Sequence, residues 1–139
     1  MISGLSHLTF IVRDLDRMEV ILTTLVGARK VYDSGSETYS LAPERFFVAG
    51  AQDLWIAIMQ GDPLPSRSYN HVAFKIDDDD YERCLRAIRE LGLELRESRP
   101  RIEGEGRSIY FYDDDNHLFE LHTGSLDERL ERYRRPDCP

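Results

Sequence analysis

His7 and His71 stand at an offset of 64 in a chain of 139 residues, and Glu120 sits between Phe119 and Leu121 with His117 and His122 close by. A carboxylate inside an apolar strand costs free energy unless it is paired or bound to a metal. Two imidazole nitrogens and one carboxylate suit Mn²⁺, Fe²⁺ or Zn²⁺. Three protein ligands with a further position open describe a catalytic metal centre rather than a structural one. His117 and Glu120 lie three residues apart on a strand, so they face opposite ways, whereas His122 shares the face of Glu120 and stands behind it.

The elements that must position these residues are visible as a repeat. "SHLTFIVRDLDRMEVILTTLVGARKVYDS" begins at Ser6 and "NHVAFKIDDDDYERCLRAIRELGLELRES" at Asn70. His7 falls on His71, Phe10 on Phe74, Asp14 on Asp78 and Asp16 on Asp80, and one extra residue brings Gly27 onto Gly92. Each copy opens with a strand of period two, with His7, Thr9 and Ile11 on one face and Leu8, Phe10 and Val12 on the other. An acidic helix start follows, where negative charge suits the dipole. The helix carries apolar positions such as Tyr81, Leu85, Ile88 and Leu91 and stops near a glycine. Further strands are expected in "ETYSLA", "ERFFVAG" and "DLWIAIM" of the first copy and in "LELRES", "RSIYFYD" and "HLFELHT" of the second.

The plan is βαβββ twice, an α+β fold in a single domain over 1–139. The first module is expected over 4–60 and the second over 68–124, joined near "GDPLPSRS". "SLDERLERYRR" opens with a Ser125–Glu128 capping box and predicts a C-terminal helix over 125–135. In the last strand of the first copy, the counterpart of Glu120 is Ala57 or Ile56, depending on the gap. Packing the two copies about a pseudo-twofold would bring His7, His71 and Glu120 to one centre with nothing ionisable at the fourth corner.

Bulk properties narrow the remaining classes. The formal net charge of −8 argues against nucleic acid as a partner, which calls for a basic footprint. No apolar run approaches the roughly 18 residues of a membrane span, and "MISGLSHLTF" lacks a basic segment ahead of an apolar one. A soluble, cytoplasmic protein with no membrane partner is expected. Cys84 and Cys138 lack metal-binding spacing, and no structural disulfide is expected from them. The run Asp77 to Asp80 lacks the glycine turn and spaced oxygens of a calcium loop and reads as a solvated helix start.

This layout resembles the vicinal oxygen chelate superfamily of glyoxalase and bleomycin-resistance proteins, whose paired βαβββ modules build a cup around a divalent metal. Within it, "GLSHLTF", "YNHVAFKI", "GEGRSIYFYDDDNHLFELHTGSL" and "ERLERYR" look like the fosfomycin-resistance proteins of the FosX type, which hydrate the epoxide of that antibiotic. The resemblance covers nearly the whole chain. It implies that His7, His71 and Glu120 bind the metal, usually Mn²⁺, and that Thr9 lies beside the epoxide. Tyr110 and Arg129 match phosphonate-binding positions. Arg101 and Gly104 in "RPRIEGEGRS" replace the lysine and serine that precede a cation-binding loop in thiol-transferring relatives. Arg101 remains suited to a phosphonate, which a guanidinium meets bidentately.

Glu44, read from its residues alone, is a loop acid after Pro43. The resemblance instead implies a general base for water, whose pKa burial among Leu41, Phe46 and Phe47 should raise. The resemblance also implies a homodimer with modules exchanged between chains. His7 of each site would then come from a different chain than His71 and Glu120. The expected activity is metal-dependent hydration of fosfomycin. The alternatives are thiol addition to the same epoxide, another divalent-metal enzyme of the superfamily, and a non-enzymatic drug-binding module.

Overall fold

The computed structural model describes residues 1–37 and 39–136; Cys138 lies outside them. The chain divides into two compact units, one of Met1–Arg67 with Asp114–Asn116 and one of Ser68–Asp113 with His117–Pro139. Each unit is built on a four-stranded sheet with helices, giving two βαβββ modules.

In the first unit, β1 (His7–Val12), β2 (Arg29–Asp33), β3 (Glu44–Ala49) and β4 (Leu54–Gln60) form a sheet of order β1-β4-β3-β2. Helix α1 (Leu15–Ile21) starts where the Asp14 carboxylate accepts from the Arg17 amide at 3.0 Å. It ends in a π-helical turn, Leu22–Val26, closed by Gly27 in the left-handed region at φ 68°. Phe10 and Val12, Phe47 and Ala49, and Ile56 and Ile58 are buried on one face of the sheet, and Met18, Ile21, Leu22 and Leu25 are the buried residues of the helical segment. His7, Thr9 and Ile11 point to the other face, in register with Trp55, Ala57 and Met59.

The second strand is "RKVYD", not "ETYSLA". The chain leaving Gly27 pairs at once with β3 and takes the sheet edge. With β4 on its other side, β3 has both flanks paired, so Glu37 and residues 39–42 have no place beside it. Tyr39 and Leu41 there are 87% and 93% exposed, and Thr38 lies outside the described residues.

The second unit repeats the plan with β5 (His71–Lys75), β6 (Glu94–Arg96), β7 (Ser108–Tyr112) and β8 (Leu118–His122) in the order β5-β8-β7-β6. Asp78–Asp80 form a 3-10 turn into α2 (Tyr81–Glu90), which buries Cys84 and Ile88. The Asp78 carboxylate accepts from Arg107 at 3.0 Å, as befits an exposed helix start. Helix α3 (Leu126–Tyr133) is capped by Ser125, whose Oγ accepts from the Glu128 amide at 3.2 Å. Among the described residues, no helix is long and apolar enough to cross a membrane.

Parallel pairing fixes the register between the copies. β5 and β8 set Ala73 opposite Glu120, and β1 and β4 set Thr9 opposite Ala57. Ala57, not Ile56, is therefore the counterpart of Glu120. By the same register Ser108 is the counterpart of Glu44, since Ser108 pairs with His122 and Glu44 with Met59.

Candidate metal centre and anion pocket

The second unit brings five of the expected residues together: His71, Arg101, Tyr110, Glu120 and Arg129. His71 Nε2 lies 3.1 Å from Glu120 Oε1. The other ring nitrogen, Nδ1, is 2.7 Å from the Tyr69 carbonyl oxygen. A carbonyl only accepts, so Nδ1 carries the hydrogen and Nε2 is aimed at the carboxylate. Nε2 and a carboxylate oxygen at that distance require a proton or a cation between them. A ligating histidine is held in this way, with its second nitrogen donating to a backbone carbonyl. The donor set fits a divalent metal.

Glu120 is buried, and its second oxygen is occupied from behind. Ser108 Oγ lies 2.5 Å from Glu120 Oε2, 2.8 Å from Arg101 Nη2 and 2.7 Å from His122 Nδ1. A hydroxyl has one donor and two acceptor sites. Ser108 therefore donates to Glu120, accepts from Arg101 and accepts from the Nδ1–H of His122. Burial pushes the Glu120 pKa up, but hydrogen bonds from Ser108 and Tyr110 and the charges of His122 and Arg101 outweigh it and hold the carboxyl below its ordinary value. Burial lowers the His122 pKa, and Arg129, Arg101 and Lys75 push the same way against Glu120. The network thus presents an ionised carboxylate with Oε1 facing outward.

Arg101 Nη2 also reaches the Tyr110 hydroxyl at 3.1 Å, and Tyr69 donates to the same oxygen at 3.1 Å. Burial, then the contacts with Tyr69 and Glu120, raises the Tyr110 pKa, so the phenol stays protonated. Arg101 Nε and Nη1 are buried with no hydrogen-bond partner among the described residues. Unsatisfied buried donors are costly, and a guanidinium edge of this kind matches two oxygens of a phosphonate. Arg129 lines a cavity of about 320 Å³ together with His71, Glu120 and His122.

His7, Thr9 and Glu44 belong to the first unit and share one face of its sheet. His7 stacks on Trp55 with ring centroids 4.1 Å apart, and its Nδ1 is 2.9 Å from Ser6 Oγ. Thr9 is exposed beside it. Glu44 is not a loop acid: it opens β3 and is 8% exposed. Its amide donates to Ser34 Oγ at 3.0 Å, and its carbonyl accepts from the Ser34 amide. Leu41, expected to bury it, is exposed instead. Among the described residues, no group of three or more His, Cys, Asp or Glu side chains stands together to hold an ion.

Sequence reasoning passed over Tyr69 and Ser108. Ser108 carried a usable signal, since it stands at the repeat's own offset from Glu44.

Residues 4–121 match the profile of the Glyoxalase/Bleomycin resistance protein/Dioxygenase superfamily. A fosfomycin resistance protein FosX from Mesorhizobium japonicum is 63% identical over 132 residues, covering 95% of this chain and 94% of that protein. Another FosX, from Listeria monocytogenes, is 53% identical over 96% of this chain and 98% of its own length. The fold superposes with a TM-score of 0.87 on a crystal structure of a substituted Listeria monocytogenes FosX complexed with Mn(II) and 1S,2S-dihydroxypropylphosphonic acid, at 50% identity over 96% of this chain and all of that one. By profile, identity and fold together, the chain belongs to the Glyoxalase/Bleomycin resistance protein/Dioxygenase superfamily, and within it to the FosX family of fosfomycin-resistance proteins.

Proposed function

We propose that this protein is a Mn²⁺-dependent hydrolase that opens the epoxide of fosfomycin to a diol and so confers resistance to the antibiotic. The observation that carries the proposal is the pairing of two features in one unit. His71 Nε2 and Glu120 Oε1 converge at 3.1 Å, and beside them the Arg101 guanidinium keeps two buried donors without an acceptor. The first asks for a cation and the second for an anion, and an epoxide phosphonate answers both. The diol phosphonate and Mn(II) held by the Listeria monocytogenes relative have the same chemistry.

His71 and Glu120, with His7 as the third ligand, would hold the metal, which when bound supplies a Lewis acid for the oxirane oxygen. Arg101 and Arg129 hold the phosphonate dianion, and Tyr110 adds its protonated hydroxyl. Fixing the phosphonate fixes which oxirane carbon meets the water. Glu44 accepts a proton from that water as its oxygen forms the new C–O bond and the strained C–O bond breaks. The departing oxygen keeps the electron pair and is then protonated, giving the second hydroxyl of the diol. Thr9 stands on the Glu44 face with a hydroxyl able to donate to that oxygen.

One unit carries His7, Thr9 and Glu44, and the other carries His71, Glu120, Arg101, Tyr110 and Arg129. A complete site therefore needs one unit of each kind. In the proposed homodimer, His7 of the partner subunit completes the ligand set of His71 and Glu120. A cytoplasmic location suits a reaction that disarms the drug where it acts.

The test is incubation of the purified protein with Mn²⁺ and fosfomycin, with and without a thiol, followed by phosphorus NMR. Diol formation without thiol is expected. Adduct formation only when thiol is present would overturn the hydrolase in favour of a transferase.

A further inference from the structure

Glu105 is a carboxylate that the proposed reaction does not use, yet its side chain is only 2% exposed. Arg99 Nη2 donates to its Oε1 at 2.7 Å, the Ile102 amide donates to Oε2 at 2.7 Å, and the Tyr133 hydroxyl donates to Oε1. Arg99 and Ile102 flank Arg101 in the loop between β6 and β7. Tyr133 lies one helical turn beyond Arg129 on α3, so the two share a helix face. One buried carboxylate therefore grips the loop on both sides of one pocket arginine and the helix just past the other.

The backbone adds to this grip. A Cβ at Gly124 would sit 2.6 Å from the Glu105 carbonyl oxygen, and one at Gly106 would sit 2.6 Å from the Gly124 nitrogen. The loop and the junction of β8 with α3 thus touch with no room for a side chain. Arg107 and Thr123 clasp the same place, with the Arg107 amide donating to Thr123 Oγ1 at 2.9 Å and the Thr123 amide to the Arg107 carbonyl at 3.0 Å.

We infer that Glu105 is a positioning residue for anion binding, which sets Arg101 and Arg129 at a fixed separation by tying the β6–β7 loop to α3 through Arg99, Ile102 and Tyr133. The inference rests on the reading of Arg101 and Arg129 as phosphonate ligands. It adds that their spacing is a property of a third site, outside the cavity. Arg99 first, against burial, and then Tyr133 and the Ile102 amide hold the Glu105 carboxyl at about 2. The tie is therefore ionised at every pH at which the protein would work.

The experiment measures inorganic phosphate binding to the full-length protein by calorimetry without added metal. It also measures KM and kcat for fosfomycin with Mn²⁺. Glu105→Gln keeps the shape and removes the charge. It should weaken phosphate binding and raise KM roughly 10- to 100-fold, the scale of a displaced binding group. kcat should change far less, because the phosphonate is gripped alike in ground and transition states. In an Arg101→Ala, Arg129→Ala background the same substitution should have no further effect on phosphate binding.

Unchanged phosphate binding and KM in folded Glu105→Gln, or a full additional loss in that background, would overturn the inference. Tyr133→Phe deletes one hydroxyl and leaves the loop's own bonds, so it serves if Glu105→Gln does not fold. A higher KM is expected there, and an unchanged KM also overturns the inference. If Arg101→Ala and Arg129→Ala themselves leave phosphate binding intact, the anion pocket fails first and the inference falls with it.

Discussion

Ser108→Ala isolates the contribution of the hydroxyl behind Glu120. That oxygen donates to Glu120 Oε2 at 2.5 Å and accepts from Arg101 and His122 at 2.8 and 2.7 Å. Its removal takes from the carboxylate a charge-assisted hydrogen bond worth about 1.5–3 kcal/mol. At about 1.4 kcal/mol per factor of ten, the affinity for Mn²⁺ should fall roughly 10- to 100-fold. Losses of that size are typical when the partner of a metal ligand is deleted. The assay is calorimetric titration of Mn²⁺ into wild type and variant near neutral pH. Ser108→Thr, which keeps the hydroxyl, should retain most of the affinity. Equal Mn²⁺ affinity in wild type and Ser108→Ala would refute the reasoning, because Glu120 would then be oriented and kept ionised without this bond.

Glu44→Gln should cut diol formation by ~10²–10⁴ with Mn²⁺ affinity unchanged; hydration at the wild-type rate would remove Glu44 from the mechanism. His7→Ala and Glu120→Ala should each be inactive alone, and mixing them should restore activity through dimers with one intact site. If subunit exchange is verified and no activity returns, each site is built within one chain. Glu105, at about 2 against an ordinary 4.5, stabilises the fold above pH 4.5, and that contribution is lost as the pH falls toward 2. The difference in Tm between wild type and Glu105→Gln should therefore narrow over that window, and a constant difference would show that Glu105 carries no such linkage.

The repeat made His7, His71 and Glu120 legible, because a duplicated strand start and an acid in an apolar strand need no coordinates to be noticed. The gap between copies was not countable from residues, so Ala57 and Ile56 stayed indistinguishable until parallel pairing set Thr9 against Ala57. "ETYSLA" alternates as a strand does, yet alternation says nothing about which strand pairs with β3, and "RKVYD" holds that place. The two helical segments differ in the same hidden way, one ending in a π turn at Leu22–Val26 and the other beginning with a 3-10 turn at Asp78–Asp80. Ser108 and Glu105 are ordinary residue types whose importance lies in which side chains converge on them, and convergence across β7, β8, α3 and a loop is written only in three dimensions.

The register that sets Ala57 where its copy has Glu120 also bears on how the protein can change over generations. Codons for alanine and glutamate can differ by a single base, so a second carboxylate, and with it a fourth ligand for the proposed metal, lies one nucleotide change away. In the proposed metal centre such a carboxylate would fill the position left open for the epoxide, and the variant would lose the reaction while keeping the fold. On that reading, selection on the reaction, rather than mutational distance, would guard the alanine. In a library selected on the drug, glutamate at position 57 should vanish as fast as loss of a histidine ligand.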